Sequence, residues 1–287
     1  MWAPLRLSQG GSANDSLARA PDPGPVPSPV IPVTCGENPL PRRFGEPPRI
    51  VLQVPRRIAI VEDDPAIRQN YRDALVAQGY EVVVFADRKR ALDSLRTQLP
   101  DLALLDIGLG ADVDGGFALC RELRSLSPTL PIIFLTARDS DFDVVSGLRL
   151  GADDYVTKDV SLPHLFARIG ALFRRIEAAG EAANAEETLV RGALTLDVAR
   201  VSATWKGRRA DLTLTEFWLV HALAKHPGHV KDRESLMNAA KMLVDDSTIT
   251  SHIKRVRRKF EAMDASFDRI ETIYGMGYRW NPEESGA

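Results

Sequence analysis

Long apolar runs are missing from this chain of 287 residues, and none approaches the roughly 18–20 residues that a membrane-spanning helix needs. Its two cysteines, Cys35 and Cys120, are too few and too separate to suggest a disulfide framework. The net charge of −2 marks the whole chain as neither strongly basic nor strongly acidic. These absences predict a cytoplasmic protein with no membrane partner, in which charge has to be examined region by region.

Proline is concentrated in residues 1–50, among glycine, serine and alanine. Such a segment buries too little apolar surface to offset the entropy of ordering it, and we predict disorder over 1–55. The remainder has room for about two domains of roughly 100–200 residues. A small, polar stretch at 177–187 (EAAGEAANAEE) predicts a linker. We therefore predict one domain at 56–176, a second at 188–281, and a disordered tail at 282–287.

In the first domain, short apolar segments alternate with amphipathic ones. Strands are predicted at 58–61, 81–85, 102–105, 132–135 and 155–156, and helices at 66–78, 88–98, 117–125, 142–150 and 162–175. Strands that each precede a helix are typical of a parallel sheet with helices on both faces. The predicted fold class is therefore α/β, a doubly wound parallel sheet, and its chemistry should lie at the carboxyl ends of the strands.

The second domain has a different, α+β pattern. Strand-like segments at 194–197, 201–206 and 209–212 precede helices at 214–225, 233–242 and 248–261, and a hairpin is predicted at 269–280. Trp205, Trp218 and Trp280 are expected in its core.

Polar residues follow four of the predicted strands in the first domain. Glu62 and Asp63 follow the first strand and Asp106 the third, while Thr136 ends the fourth and Lys158 follows the fifth. Clustered carboxylates repel one another, and a hard divalent cation with oxygen ligands such as Mg²⁺ relieves this repulsion. A metal, a hydroxyl and an ammonium at one edge suit a transferring phosphoryl group, whose transition state needs positioning and charge neutralisation.

Residues 57–175 resemble the receiver domain of two-component response regulators, through the segments IVEDD (60–64), LLDIGL (104–109), FLTAR (134–138) and GADDYVTK (151–158). The resemblance implies that Asp106 is the phosphoacceptor. It also implies that Glu62, Asp63, Asp106 and the Gly108 carbonyl bind Mg²⁺. Thr136 and Lys158 would hold the phosphoryl oxygens, and Tyr155 would be the switch aromatic that turns inward on phosphorylation.

The sequence departs from the receiver pattern at two places. Asp159 follows Lys158 where the family usually has proline, and Gly110 replaces the proline usual four residues after the acceptor. The loop 110–116 (GADVDGG) is also about two residues longer than is usual for the family. Neither change removes a residue from the pocket.

The segment SHIKRVRRKF concentrates positive charge in one predicted helix of the second domain. Ile249, Ile253, Val256 and Phe260 form an apolar stripe along it. The residues predicted to face away from the core are Ser247, Thr250, Ser251, Lys254, Arg255 and Arg258. A helix buried on one face, with hydroxyl groups near its start and cations along it, suits the major groove of DNA.

Together with LTLTEFWLVHAL, DRESLM and the hairpin IETIYGMGYRW, this helix resembles the winged-helix domain of the OmpR/PhoB class over about 188–281. The resemblance implies that 246–261 is the recognition helix. It also implies DNA contacts from Ser251, His252, Arg255 and Arg258, and from the wing residues Thr272, Tyr278 and Arg279. Tyr274 stands where many members have arginine and is a further predicted contact. The segments LGADDYVTKDVSLPHL, HPGHVK and VDDSTITSHIKR also resemble proteobacterial regulators of a dedicated sortase system.

The two resemblances imply a transcription factor that is switched by phosphorylation and is not an enzyme toward external substrates. Its expected partners are a sensor histidine kinase, promoter DNA and a second copy of the chain, and RNA polymerase is a further candidate. In the class, receivers dimerise through the face built here from 142–150, the fifth strand and 162–175. Cross-subunit ion pairs are predicted for Arg149, Asp153, Asp154, Arg168 and Arg175.

Two alternatives stay open from the sequence. The acidic pocket could serve a Mg²⁺-dependent phosphatase acting on an external substrate, although the basic helix and hairpin stand where a substrate cap is expected. The receiver could also act without phosphate, as a constitutive dimer, given the departures at Gly110 and Asp159.

Overall fold

The computed structural model describes residues 55–137, 150–183, 188–239 and 246–282, without the side chains of Thr136 and of residues 179–183, 246 and 247. The disorder predicted for the N-terminal extension, most of the predicted helix 142–150, and residues 283–287 of the predicted tail lie outside this description. Within the described ranges, no helix combines the length and the apolar character that crossing a bilayer requires.

The first domain is a parallel sheet of the order β2-β1-β3-β4-β5, flanked by helices. Its strands are β1 (Arg57–Val61), β2 (Glu81–Phe85), β3 (Leu102–Leu105), β4 (Ile132–Thr136) and β5 (Asp154–Thr157). Its described helices are α1 (Pro65–Ala77), α2 (Arg88–Leu95), α3 (Gly115–Leu126) and α4 (Leu162–Ala183). The predicted doubly wound α/β class is confirmed.

Side-chain caps set the starts of the first two helices. The Asp64 carboxylate accepts hydrogen bonds from the Ala66 and Ile67 N–H groups at 2.8 and 3.0 Å, and Asp87 accepts from Arg90 N at 2.9 Å. These bonds satisfy N–H groups that have no partner inside a helix. Each cap comes shortly after a strand. The helix that it caps therefore begins at the carboxyl edge of the sheet.

The second domain combines an antiparallel sheet, three helices and a C-terminal hairpin. The sheet is β6 (Thr188–Arg191), β7 (Leu194–Asp197), β8 (Ser202–Trp205) and β9 (Arg208–Ala210), paired in chain order. The helices are α5 (Leu214–Ala224), α6 (Arg233–Ala239) and α7 (Asp246–Met263), and β10 (Ile270–Ile273) pairs with β11 (Gly277–Trp280). The predicted winged-helix architecture is confirmed.

Aromatic side chains build much of the second core. The Phe260 and Phe267 rings stack at 4.7 Å, and the Trp205 ring meets both of them edge-on. Trp205, Trp218 and Trp280 are all buried, as predicted.

Two elements between the domains differ from the sequence prediction. Helix α4 continues to Ala183, so 177–183 are helical although 177–187 was predicted as a linker. Strand β6 was not predicted. The alanine and glutamate residues of the predicted linker are strong helix formers, which is the physical reason that the helix continues.

Candidate functional site

Three carboxylates meet at the carboxyl edge of the parallel sheet. Glu62 and Asp63 follow β1, and Asp106 follows β3, the strand next to it. One oxygen of each lies within 4.8 Å of the others. Glu62 is 2% exposed and Asp106 9%, while Asp63 is open to solvent. The parallel topology therefore brings the predicted acidic residues together in a half-open pocket.

The Lys158 ammonium lies between two of these carboxylates. Its Nζ is 2.7 Å from Glu62 Oε2 and 2.9 Å from Asp106 Oδ2. Burial alone would lower the pKa of Lys158, but hydrogen bonds and charges from Glu62 and Asp106 outweigh burial and raise it. Burial raises the pKa of Glu62, against the opposing effect of Lys158. The lysine therefore stays charged and offsets the repulsion among the carboxylates.

The donor set of this pocket fits a hard divalent cation. Three carboxylates present oxygen atoms at close range, and the exposed Asp63 leaves a path from solvent. Gly108 lies in the loop directly after Asp106, and the role of its carbonyl as a ligand stays a prediction.

The remaining predicted pocket residues lie on β4 and β5. Thr136 is the last residue of β4, opposite Thr157 in the ladder, and its side chain lies outside the description. Tyr155 is half-buried on β5, and its ring centre is 6.3 Å from that of Phe134. Their roles as phosphoryl ligand and switch aromatic stay predictions.

Helix α1 supports the pocket through two residues that the sequence analysis missed. The Arg68 guanidinium donates to the carbonyl oxygens of Glu62 and Asp63 at 2.6 and 3.0 Å. The Tyr71 hydroxyl, one helical turn later, donates to the carbonyl of Lys158 at 3.3 Å. The spacing of three residues on one helix was a signal that both share a face. Together they connect the acidic turn and the lysine turn to one rigid helix.

The longer loop after Asp106 is attached to the pocket. Gly110, at φ +65°, donates its N–H to Asp63 Oδ2 at 3.1 Å. Asp112 forms a short bridge with Leu109 and an ion pair with Arg88 Nε at 3.2 Å. The departure from proline at Gly110 thus gives Asp63 a backbone donor, which a proline could not provide.

Gly116 is a third residue that the sequence analysis missed. It lies in the first turn of α3, and its N–H donates to the Ile107 carbonyl at 2.9 Å. A Cβ atom at this position would lie 1.9 Å from the backbone oxygen of Asp106. The helix approaches the end of β3 this closely only because residue 116 has no side chain.

Helix α7 presents the predicted basic surface of the second domain. Ile249, Ile253, Val256 and Phe260 are each at most 1% exposed, so the predicted apolar stripe faces the core. On other faces Thr250, Lys254 and Arg258 are exposed and Ser251 is half-buried, while the side chain of Ser247 lies outside the description.

The hairpin β10–β11 is connected to α7 by side-chain hydrogen bonds. Arg257 donates to the Ile270 carbonyl at 2.9 Å and to Thr272 Oγ1 at 2.8 Å. The hydroxyl groups of Tyr278 and Thr250 lie 3.3 Å apart. Helix and hairpin therefore form one continuous surface.

The tip of the hairpin is available to a partner. Tyr274 is 93% exposed there, and Met276 is also exposed. Arg279 forms an ion pair with Glu271, at 2.7 Å, on the neighbouring strand. The contacts of Tyr274 and Arg279 with DNA stay predictions.

Two predicted contact residues of α7 are buried in this structure. Arg255 was predicted to face away from the core, but it is 6% exposed. Its guanidinium donates hydrogen bonds to Glu216 of α5 and to the carbonyl of Ala152 in the first domain. His252 is fully buried beside it, with Nδ1 3.0 Å from Arg255 Nη2. Burial and the charge of Arg255 lower the pKa of His252 to about 3, so its ring is neutral.

Glu216 stabilises the start of α5. The sequence analysis did not predict that it pairs with cations. It completes a capping box with Thr213, and it pairs with both Arg255 and Lys259. Burial alone would raise the pKa of Glu216, but Arg255, Lys259 and the Thr213 N–H outweigh burial and lower it to about 2.

Acid should weaken this domain through Glu216. Because its pKa is depressed in the folded state, its contribution is present above the unfolded value of 4.5 and is lost as pH falls toward about 2. We expect the free energy of unfolding of the native protein to fall more steeply over this interval than that of Glu216→Gln. Urea titrations at successive pH values measure both slopes, and equal slopes would contradict the expectation.

The residues predicted to pair across a dimer form contacts within the chain. Asp154 pairs with Arg168 at 2.8 Å, and burial raises the pKa of Asp154. Asp153 pairs with Arg124 at 2.6 Å, and Arg175 donates to Thr215 Oγ1 at 2.9 Å. Arg149 lies outside the described residues. Pairing across a dimer stays a prediction.

Two family models match the chain, one to each domain. The model described as response regulator receiver domain matches residues 58–170. The model described as transcriptional regulatory protein, C terminal, matches residues 207–280.

Full-length relatives share this arrangement. The transcriptional regulatory protein BaeR of Escherichia coli is 39% identical over 231 residues, covering 79% of this chain and 93% of that protein. The transcriptional regulatory protein CreB of Escherichia coli is 36% identical over 222 residues, covering 76% and 95%. These relatives do not test the narrower resemblance to sortase-system regulators, which stays a prediction.

A solved structure supports the fold. A mutant of RitR superimposes with a TM-score of 0.67 at 21% identity, and the match covers 79% of this chain and 99% of that one. From the acidic pocket, the winged-helix domain, both family models and the full-length relatives, the chain belongs to the OmpR/PhoB class of two-component response regulators, which are DNA-binding transcription regulators.

Proposed function

We propose that Asp106 accepts a phosphoryl group from a sensor histidine kinase, and that phosphorylation promotes dimerisation and promoter binding. The observation that carries the proposal is the position of the Asp106 carboxylate, 2.9 Å from the Lys158 ammonium and beside the carboxylates of Glu62 and Asp63. The proposed site of action is the cytoplasm, with RNA polymerase as a further partner at the promoter.

Each residue of the pocket would have a separate role in phosphoryl transfer. Asp106 Oδ1 accepts the Ile107 N–H at 2.7 Å, which orients the carboxylate. An Asp106 oxygen forms the new bond to phosphorus as the bond from phosphorus to the donor breaks, and Lys158 offsets negative charge on the phosphoryl oxygens. Mg²⁺ held by Glu62, Asp63, Asp106 and the Gly108 carbonyl would supply further charge neutralisation. The chain would promote only its own phosphorylation and dephosphorylation.

Helix α7 and the hairpin would bind the promoter DNA. Lys254 and Arg258 are exposed along the helix and would contact phosphates, while residues near its start would contact base edges. Tyr274 would reach the adjacent groove from the tip of the wing.

Replacing Asp106 tests the proposal directly. We expect Asp106→Asn to lose labelling by acetyl phosphate and Mg²⁺, because an amide nitrogen and a neutral amide oxygen cannot form the acyl phosphate. Binding to a fragment selected from a DNA library should be strengthened by acetyl phosphate in the native chain and unchanged by it in the variant. Labelling is measured by intact mass, and affinity by fluorescence anisotropy at fixed salt.

The same experiment separates the alternatives. Retained labelling of Asp106→Asn would show that the acceptor lies elsewhere. Selective DNA binding that is indifferent to acetyl phosphate would favour a receiver that acts without phosphate. Turnover of a generic phosphate ester without selective DNA binding would favour the phosphatase.

A further inference from the structure

A cleft of about 610 Å³ lies between the receiver and the winged-helix domain. The receiver side is formed by the end of α3 and the segment before β5, and the other side by the segment before α5 and by α7. Its volume is within the range of roughly 300–1,000 Å³ that is typical of small-molecule sites. The residues that matter here are Ser125, Pro128 and Leu150 of the receiver, and Arg255, Arg258 and Lys259 of α7.

Three cations of α7 line the cleft as one cluster. Arg255, Arg258 and Lys259 are three and four residues apart, so they are neighbours on one face of the helix. Arg255 and Lys259 share the carboxylate of Glu216. Asp211 is the one acidic residue among the described residues that line the cleft. The cluster therefore has more positive charge than the carboxylates beside it can balance, which favours an anion in the cleft.

The guanidinium of Arg255 has one nitrogen left for a ligand. Its Nε donates to Glu216, and its Nη2 lies 3.5 Å from the Ala152 carbonyl oxygen and 3.0 Å from His252 Nδ1. Its Nη1 is buried and has no hydrogen-bond partner within the part of the chain that the structure describes. A buried charged donor without an acceptor is costly. Because Arg255 lines the cleft and is 6% exposed, a phosphate oxygen in the cleft would complete its hydrogen bonds.

The receiver side of the cleft has a different character. Pro128 and Leu150 are apolar and half-buried, and Ser125 is exposed at the end of α3. Arg124 also lines the cleft, but its charge is already paired with Asp153 at 2.6 Å. One side of the cleft therefore suits phosphate groups, and the other suits the organic part of a phosphorylated molecule.

We propose that this cleft binds a small phosphorylated organic molecule, with its phosphate groups on Arg255, Arg258 and Lys259 and its organic part against Pro128 and Leu150. The site is separate from the phosphorylation pocket, because the cleft meets the receiver before the start of β5 and the pocket lies at the end of that strand. The molecule is bound without transfer of its phosphoryl group. Since Arg255 and Arg258 are also predicted DNA contacts, the ligand and DNA would compete for these two residues.

Calorimetric titration of the full chain with pyrophosphate and with adenosine diphosphate tests the cleft. EDTA is present, so that Mg²⁺ does not draw either probe to the acidic pocket. We expect saturable binding of both probes at or below millimolar concentration. Adenosine diphosphate should bind more tightly, because its nucleoside contacts the apolar side of the cleft. The absence of saturable binding, or adenosine diphosphate that binds no more tightly than pyrophosphate, overturns the proposal.

Ala262→Glu places a carboxylate at the cleft, and Ala265→Glu is its matched control. Both alanines are exposed, but Ala262 lines the cleft and Ala265 does not. Because a like charge opposes the binding of an anion, Ala262→Glu should weaken the binding of both probes by about tenfold. Ala265→Glu should change it by less than about twofold. Equal losses in the two variants would indicate a general effect of net charge and would overturn the site.

Ser125→Glu adds the charge from the receiver side and separates a small ligand from the phosphates of DNA. Ser125 lies on α3, outside the predicted DNA surface. The variant should bind adenosine diphosphate about tenfold more weakly, and a short duplex of random sequence with nearly native affinity. An equal loss for the duplex would assign the cleft to DNA, and unchanged binding of adenosine diphosphate would place the site on the winged-helix domain alone. Either result overturns the proposal and leaves the proposed function intact, since no phosphorylation of Asp106 is involved.

Discussion

Gly116→Ala should slow phosphorylation of Asp106 by roughly ten- to a hundredfold, because small displacements of reacting groups have effects of this size. The added Cβ would lie 1.9 Å from the backbone oxygen of Asp106 and 2.9 Å from the Cα of Ile107. Both are backbone atoms, so the conflict is relieved only by moving helix α3 or the end of β3. Either movement shifts the phosphoacceptor relative to Lys158. The rate is measured with acetyl phosphate and Mg²⁺ by intact mass.

The neighbouring glycine provides the control. In Gly115→Ala the nearest atom to the new Cβ would be Asp112 Cγ at 3.0 Å, which is a side-chain atom of an exposed residue and not a backbone atom. We expect a rate within a factor of about two of the native rate, since substitutions away from backbone conflicts have small effects. Equal losses in the two variants would show that the first turn of α3 tolerates no side chain, and that closeness to Asp106 is not the cause.

Glu216→Ala should lower the free energy of unfolding of the winged-helix domain by about 3–5 kcal/mol, the usual cost of removing one partner from a buried ion pair. The carboxylate is fully buried and pairs with Arg255 and Lys259. It also accepts the Thr213 N–H at 2.7 Å, which closes the capping box. The variant leaves two cations without their shared anion and one helix start without part of its cap. Urea unfolding followed by circular dichroism measures the change.

Glu261→Ala is the matched control for that experiment. Glu261 lies on α7, but it is exposed. Its removal should change the free energy of unfolding by no more than about 0.5 kcal/mol. A loss below about 1 kcal/mol in Glu216→Ala would mean that the paired cations reach solvent easily, and that the buried network contributes little.

The pocket was the most predictable part of the molecule. Asp106 and Lys158 are far apart in the chain, yet each follows a short apolar segment, and parallel strands place such positions at one edge. At that edge, Lys158 Nζ lies 2.9 Å from Asp106 Oδ2. By contrast, nothing in the sequence indicated that α3 passes so close to β3 at Gly116, because a glycine in a helix has many possible causes.

The segment between the domains was less predictable. The residues at 177–183 were interpreted as a linker from their small size and polarity, yet α4 runs through them. Small polar composition is shared by linkers and by exposed helices, so only helix propensity separated the two interpretations. Among the strands that the structure describes, β6 pairs with β7 alone, and its exposed and half-buried residues gave a weak pattern.

The periodic pattern of apolar residues in α7 could not predict the burial of Arg255. The pattern of α7 correctly identified the stripe that faces its own core, but it contains no information about a second domain that covers another face. Glu216 did leave a signal, since a threonine three residues before a glutamate at the start of an apolar segment is a capping box. The further pairing of Glu216 with α7 depends on tertiary packing.

The positions of the tryptophans give the two domains different intrinsic fluorescence. Its tryptophans are Trp2, which lies outside the described residues, and Trp205, Trp218 and Trp280, which are all buried in the winged-helix domain. The receiver domain, at 58–170, contains tyrosines but no tryptophan. Intrinsic indole emission from the folded domains therefore originates in the second domain alone. Trp218 lies on α5, the helix whose first turn meets the receiver, so its emission is placed to follow separation of the domains without any added label.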